Sequence, residues 1–134
     1  MTMPTIRFRV DFGEACAIGP GKIALLEAIH STGSLSQAAR DLKMSYRRGW
    51  LLLDSLNRSF RRPVAALSTG GRGGGGARLT PFGTSLVAVY RKLEADIAKR
   101  ARVAFGPVAR NALRVAAPHV ARRRLQKHAR RRAA

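Results

Sequence analysis

The first rhythm along the chain has a period of two. Ile6-Arg-Phe-Arg-Val-Asp-Phe12 alternates apolar and polar residues, which predicts a half-buried strand. Gly19-Pro20-Gly21 punctuates the chain, and the spacing then lengthens. Ile23, Leu26 and Ile29, widened by Leu25, mark one face of a helix over 23–30. Ser31-Thr-Gly33 ends that helix, and Ser34 is suited to cap a short second one over 35–42. Its Ala38 and Ala39 are small enough to let another helix cross closely. Lys43 and Met44 form a turn, Ser45 is a good N-cap, and a third helix runs to the neighbourhood of Phe60. Gly49, Trp50, Leu53, Leu56 and Phe60 cluster on one side of it and read as its core face.

Pro63 excludes further regular helix. Residues 64–67 and 78–80 are short β-prone pieces around Thr69-Gly-Gly-Arg-Gly-Gly-Gly-Gly-Ala-Arg-Leu-Thr80, which predicts a hairpin with a glycine-rich loop. Thr80-Pro81 pairs a cap residue with proline at the first helical position. The helix that follows is expected to reach Phe105, with Leu86, Val89, Leu93, Ile97 and Ala101 on one stripe. Gly106-Pro107 divides the chain into a domain over 1–105 and an Arg/Ala-rich tail over 106–134. High net charge and few large apolar residues predict that the tail is disordered when free.

Charge narrows the function. The 134 residues hold 26 Lys and Arg against 7 Asp and Glu, a net charge of +19. So large an excess opposes compaction and favours a polyanionic partner. Residues 1–105 are basic in their own right, and 106–134 contain nine Lys and Arg and no acid. Cys16 is the one cysteine, so the sequence offers neither an intramolecular disulfide nor a cysteine-based zinc site. His119 and His128 have no neighbouring ligand set. No membrane-spanning run or signal peptide is legible, which predicts a cytoplasmic protein with no membrane partner. No Ser/His/Asp set, paired carboxylates or metal cluster is visible, so the expectation is a protein that is not an enzyme and takes no cofactor or metal.

A short helix, a turn and a second helix that opens Ser45-Tyr-Arg-Arg suit the major groove of double-stranded DNA. Arg47 and Arg48 lie where such helices touch base edges, and arginine pairs with guanine O6 and N7; phosphate contact remains the alternative. Leu51 and Arg58 project from the same side, and Leu51 is placed for a thymine methyl. Tyr46 lies between the faces, with its hydroxyl available to a phosphate. Ser34, Ser36 and Gln37 open the preceding helix, where capping and phosphate contact are compatible. In the loop, Thr69, Gly70 and Gly71 allow close backbone approach, and Arg72 and Arg78 supply charge. No Lys-Ser/Thr pair follows the glycines, which argues against an NTPase phosphate loop; a flexible linker is the other reading.

Ile23-Ala-Leu-Leu26, Gly33-Ser-Leu-Ser-Gln-Ala-Ala39, Ser45-Tyr46 with Trp50, and the glycine loop ending in Leu79-Thr80 together resemble the N-terminal domain of the molybdate-responsive ModE regulators. The resemblance covers about residues 20–100. It implies a mainly α fold with a small β component, a winged helix-turn-helix of the kind shared with LysR-type regulators, and a long C-terminal dimerisation helix. It further implies a homodimer on a palindromic operator, and a transcription regulator without the family's molybdate-binding domains. Val108-Ala-Arg-Asn111 echoes only part of a Ser-Ala-Arg-Asn motif of those domains. A separate oxyanion-binding protein is then an open partner. A non-specific architectural nucleic-acid-binding protein is the alternative function, and an RNA-binding accessory factor rests on charge alone.

Overall fold

A computed structural model describes residues 3–68 and 76–112. Two antiparallel hairpins and four helices follow in the order β1 (Val10–Phe12), β2 (Cys16–Ile18), α1 (Pro20–Thr32), α2 (Leu35–Asp41), α3 (Tyr46–Ser59), β3 (Ala65–Leu67), β4 (Ala77–Leu79) and α4 (Pro81–Ala109). The described residues fall into two compact units, one within 6–97 and a second made of residues 3–5 with 98–112. In the second, Ala101 is buried, while Val103, Phe105 and Val108 are exposed.

The core of the larger unit is apolar throughout. Ile23, Leu25, Leu26 and Ile29 of α1 meet Leu35 and Ala38 of α2, Leu53 and Leu56 of α3, and Ile18 and Val64. Full burial of each such aliphatic side chain contributes about 2 kcal/mol. Local chemistry ends each helix where the core needs it to turn. Gly33 closes α1 in the left-handed region (φ 70) with its N–H on the Ile29 carbonyl. The hydroxyl of Ser34 accepts from the Gln37 N–H at 3.1 Å, and that of Ser45 from the Arg48 N–H at 3.1 Å. Lys43, at φ 56, makes the reversal between α2 and α3.

The fold class expected from the sequence needs correction. The described residues form four helices and two separate two-stranded sheets, not the anticipated winged helix-turn-helix with a dimerisation helix. Two physical reasons account for the difference. The alternating stretch 6–12 pairs only over its last three residues, because Gly13 (φ 68) reverses the chain into β2; Val10, Asp11 and Phe12 lie opposite Ile18, Ala17 and Cys16. The long last helix is recruited to the core of its own chain, where Phe82, Leu86, Val87 and Tyr90 pack. The Tyr90 ring stacks on Phe8 at 4.6 Å, and its hydroxyl donates to the Phe8 carbonyl at 2.9 Å.

Other expectations shift in detail. Helix α4 continues beyond Phe105, through Gly106 and Pro107, to Ala109. Of its anticipated stripe, Leu86 and Ile97 are half-buried, and Val89 and Leu93 are exposed. Trp50, read as core, is 41% exposed. Gly49 occupies the core side in its place, with Ala39, Leu35 and Met44 packed so closely that an added Cβ would lie 3.3 Å from that of Ala39. The bulkier Trp50, one residue on, is rotated about 100° away.

The β3–β4 hairpin is tied to both ends of the helical unit. Asn57, near the end of α3, accepts the Val64 N–H at 2.7 Å and the Ala65 N–H at 3.3 Å, and donates to the Ala65 carbonyl at 3.1 Å. On the other strand, the Ala77 N–H donates to the Gly33 carbonyl at 2.9 Å. Thr80 caps α4 by accepting the Gly83 N–H at 3.0 Å and donates to the Pro63 carbonyl at 2.6 Å. Gly83 lies so close to this junction that a Cβ there would overlap the Val64 carbonyl oxygen.

Candidate nucleic-acid interface

Helix α3 is built to present one face while burying the other. Gly49, Leu53 and Leu56 are buried against α1 and α2, and Leu52 and Phe60 pack beside them. The C-terminal end is pinned by Asn57 and by the Phe60 ring, which meets Phe12 at 5.9 Å and Phe82 at 5.3 Å edge to face. The N-terminal end is capped by Ser45. What remains outside is Tyr46, Arg47, Arg48, Trp50, Leu51 and Arg58, all exposed. Ser45, Arg47, Arg48, Leu51 and Leu52 line a shallow depression of about 320 Å³.

The cations on this face differ in their freedom. Arg58 is held by Asp54 at 2.9 Å, one turn away on the same helix. Among the described residues neither Arg47 nor Arg48 makes an ion pair. Arg40 and Lys43 are exposed at the α2–α3 turn, and Arg61 and Arg62 just after α3. No spacing along the chain marks these four, since single basic residues at turns are common on protein surfaces.

Helix α2 carries the other anticipated residues, with its polar groups largely turned on itself. Ser34 is occupied as a cap, Gln37 donates to Asp41 at 2.8 Å, and Ser36 accepts a long contact from Arg40 at 3.5 Å. Arg78 is exposed on β4, opposite Ala66. The backbone beside it is anchored to Gly33, the residue before the Ser34 cap, so the hairpin is joined to the start of α2. Gly33, Ala66, Leu67, Ser68, Gly76, Ala77 and Arg78 surround a second depression of about 440 Å³. Thr69, Gly70, Gly71 and Arg72 lie outside the described residues, as does the tail from 113 onward.

Sequence reasoning missed three parts of this arrangement. Trp50 joins the outer face rather than the core. Asn57 fastens α3 to the hairpin through bonds spanning seven and eight residues, which no local pattern announces. Arg91 of α4 reaches Glu27 of α1, 64 positions away, with Nε donating to Oε2 at 3.1 Å, and also Glu94 at 2.7 Å. These carboxylates hold the Arg91 guanidinium well above its ordinary range, through the hydrogen bonds to Glu27 and then to Glu94. Burial, followed by the charge of Glu94, pushes the Tyr90 phenol up, partly offset by Arg91. Among the described residues no cluster of His, Cys, Asp or Glu is arranged to hold a metal ion, and no helix is long and apolar enough to cross a membrane.

No protein-family model matches the chain. Individual proteins do. The chain is 44% identical over 82 residues to the molybdenum-pterin-binding protein MopB of Rhodobacter capsulatus, which is 61% of this chain and 30% of that protein. It is 38% identical over 90 residues to the molybdenum transport protein ModE of Azotobacter vinelandii, 67% of this chain and 33% of that protein. It is 36% identical over 89 residues to the transcriptional regulator ModE of Haemophilus influenzae, 66% of this chain and 35% of that protein. The chain thus spans about a third of the length of these relatives. None of the three names is that of an enzyme.

These matches correct the assignment made from the sequence, which was to the N-terminal domain of ModE and to a regulator lacking molybdate-binding parts. A protein named for binding molybdenum-pterin stands among the relatives, so neither the restriction to a DNA-reading domain nor the lack of such parts is retained. The chain is similar to a group of proteins whose names join molybdenum-pterin binding, molybdenum transport and transcriptional regulation.

Proposed function

We propose that this chain binds double-stranded DNA through the outer face of α3 and serves transcriptional regulation connected with molybdenum. The observation that carries the reading is the pair Arg47 and Arg48. Both are exposed on the first turn of a helix whose opposite face is locked into the core, and neither has an ion-pair partner among the described residues. Holding unpaired cations on a rigid element costs little when a polyanion binds, because no internal bond must first be broken. A rigid helix face also fixes the fork of an arginine well enough to discriminate guanine.

The remaining groups fall into supporting roles. Tyr46, Arg58, Arg78 and the helix-opening Ser34, Ser36, Gln37 and Ser45 contact the phosphate backbone, joined by Thr69, Gly70, Gly71 and Arg72 of the loop. Arg40, Lys43, Arg61 and Arg62 extend the positive surface. The nine basic residues of 106–134 add phosphate contacts without sequence information. The relatives named as regulators support the molybdenum theme.

Selection of duplexes from a random library with the full chain tests the proposal. The expected result is a shared motif, repeated about one helical turn or a multiple apart if the chain acts as a homodimer. Equal recovery of all sequences would mean an architectural role, and no recovery would exclude duplex DNA as the ligand.

A further inference from the structure

The outer face of α3 is not merely basic. Trp50 is 41% exposed and Leu51 49%, although both are large apolar side chains. At about 100° per residue they lie on either side of Arg47 and one turn further along, Trp50 about 60° to one flank and Leu51 about 40° to the other. On the helical wheel Arg47 therefore falls between two exposed apolar positions. Leu51 and Arg47 also share the depression beside Ser45.

We infer that this face distinguishes thymine by its C5 methyl group, with Trp50 and Leu51 contacting methyls on base pairs that flank a guanine held by Arg47. The inference rests on the DNA-binding reading above and specifies its ligand. In the major groove each base pair offers hydrogen-bonding groups, and thymine alone adds a methyl. Leucine has no polar atom with which to use the former. The surrounding charge selects the occupant: Arg40, Lys43, Arg47, Arg48, Arg61 and Arg62 are exposed around this helix, which suits a polyanion and disfavours an apolar protein partner. The Asp54 carboxylate, the one acid on the outer side of α3, is already neutralised by Arg58 at 2.9 Å.

The single tryptophan of the chain lies within this patch, so its fluorescence reports on the face directly. The experiment takes the full chain and a duplex from the selection described above, and replaces each thymine in turn by deoxyuridine, which removes the methyl alone. Loss of one buried methyl contact is expected to weaken binding about fourfold at one or two positions in each half-site. In Leu51→Ala or Trp50→Ala, each checked by a thermal melt, the same replacement should have little effect at the matching position. Trp50 emission should change on binding the thymine duplex and change less with deoxyuridine there. Leu51 is exposed, and a thermal melt verifies that Leu51→Ala retains the fold.

Sequence-selective binding that tolerates deoxyuridine at every position would overturn the inference and leave the DNA-binding reading standing. Deoxyuridine sensitivity that persists in both variants would also overturn it, since the methyl would then be read elsewhere. Absence of any preferred duplex would remove the DNA-reading proposal itself.

Discussion

The dipeptide Tyr-Arg occurs on α3 as Tyr46-Arg47 and on α4 as Tyr90-Arg91, and the two copies meet opposite fates. Tyr90 is 3% exposed, stacked on Phe8 and bonded to its carbonyl, and Arg91 is clasped by Glu27 and Glu94. Tyr46 is 55% exposed, and Arg47 has no ion pair among the described residues. On α4 the pair fastens the helix to α1 and to Phe8 in the segment that precedes β1. On α3 the fold uses the neighbours, Gly49, Leu53 and Leu56, and leaves the pair outward. The residue types are the same, and what separates the two arginines is whether the fold supplies a counter-charge.

The comparison can be broken most severely at the close approach that lets α4 pack. Gly83→Ala places a Cβ on the Val64 carbonyl, which cannot move without disturbing the bonds to Asn57 and Thr80. A loss of about 3 kcal/mol or more is expected in urea unfolding. An unchanged midpoint would show that the α4–hairpin junction is looser than described. Next in size is Asn57→Ala, which strands the N–H groups of Val64 and Ala65 and should cost about 1–3 kcal/mol by the same measurement.

Arg91→Ala probes the structural copy of the dipeptide. Because the pair with Glu27 is partly solvated, a cost of about 1 kcal/mol is expected rather than that of a buried bridge. Duplex selectivity should be untouched at temperatures below the transition. The smallest effect concerns Tyr90→Phe, which removes the bond to the Phe8 carbonyl and should cost about 1 kcal/mol or less at neutral pH. Burial raises the Tyr90 phenol above its ordinary value of 10.0. The unfolded chain therefore loses this proton first, so the contribution is complete below pH 10 and disappears as pH rises through the folded value. Tyr90→Phe should lack that part of the alkaline decline when unfolding is compared across pH 8–11. An identical slope in both proteins would contradict the assignment.

Much of the local structure was legible because its causes are local. Ser34, Ser45 and Thr80 cap the helices they precede, Gly33 closes α1, and the glycine-rich stretch is flanked by paired strands. The β1–β2 hairpin is not legible: Cys16–Ile18 has no alternating pattern, and its one signal is a glycine at the reversal. The helical wheel groups Trp50 with Gly49, Leu53 and Leu56, but the crossing with Ala39 is filled by Gly49, and Trp50 at the margin of that face stays exposed. The fasteners Asn57 and Glu27–Arg91 join residues distant along the chain, so no periodicity reveals them. At the candidate site, residue types and helix position were readable, whereas the pairing of Arg58 by Asp54 and the freedom of Arg47 required geometry.

The most direct test sets the two arginines against each other on DNA. Affinities of the Arg47→Ala and Arg91→Ala proteins for the selected duplex and for single-base variants of it are compared at one salt concentration. Arg47→Ala is expected to lose about 1–3 kcal/mol of discrimination at one base pair, while its unfolding midpoint stays within about 0.5 kcal/mol of the parent. Arg91→Ala should show the reverse, with intact discrimination and a lower midpoint. Equal weakening of Arg47→Ala on all duplexes, with no base singled out, would contradict the claim that α3 reads sequence.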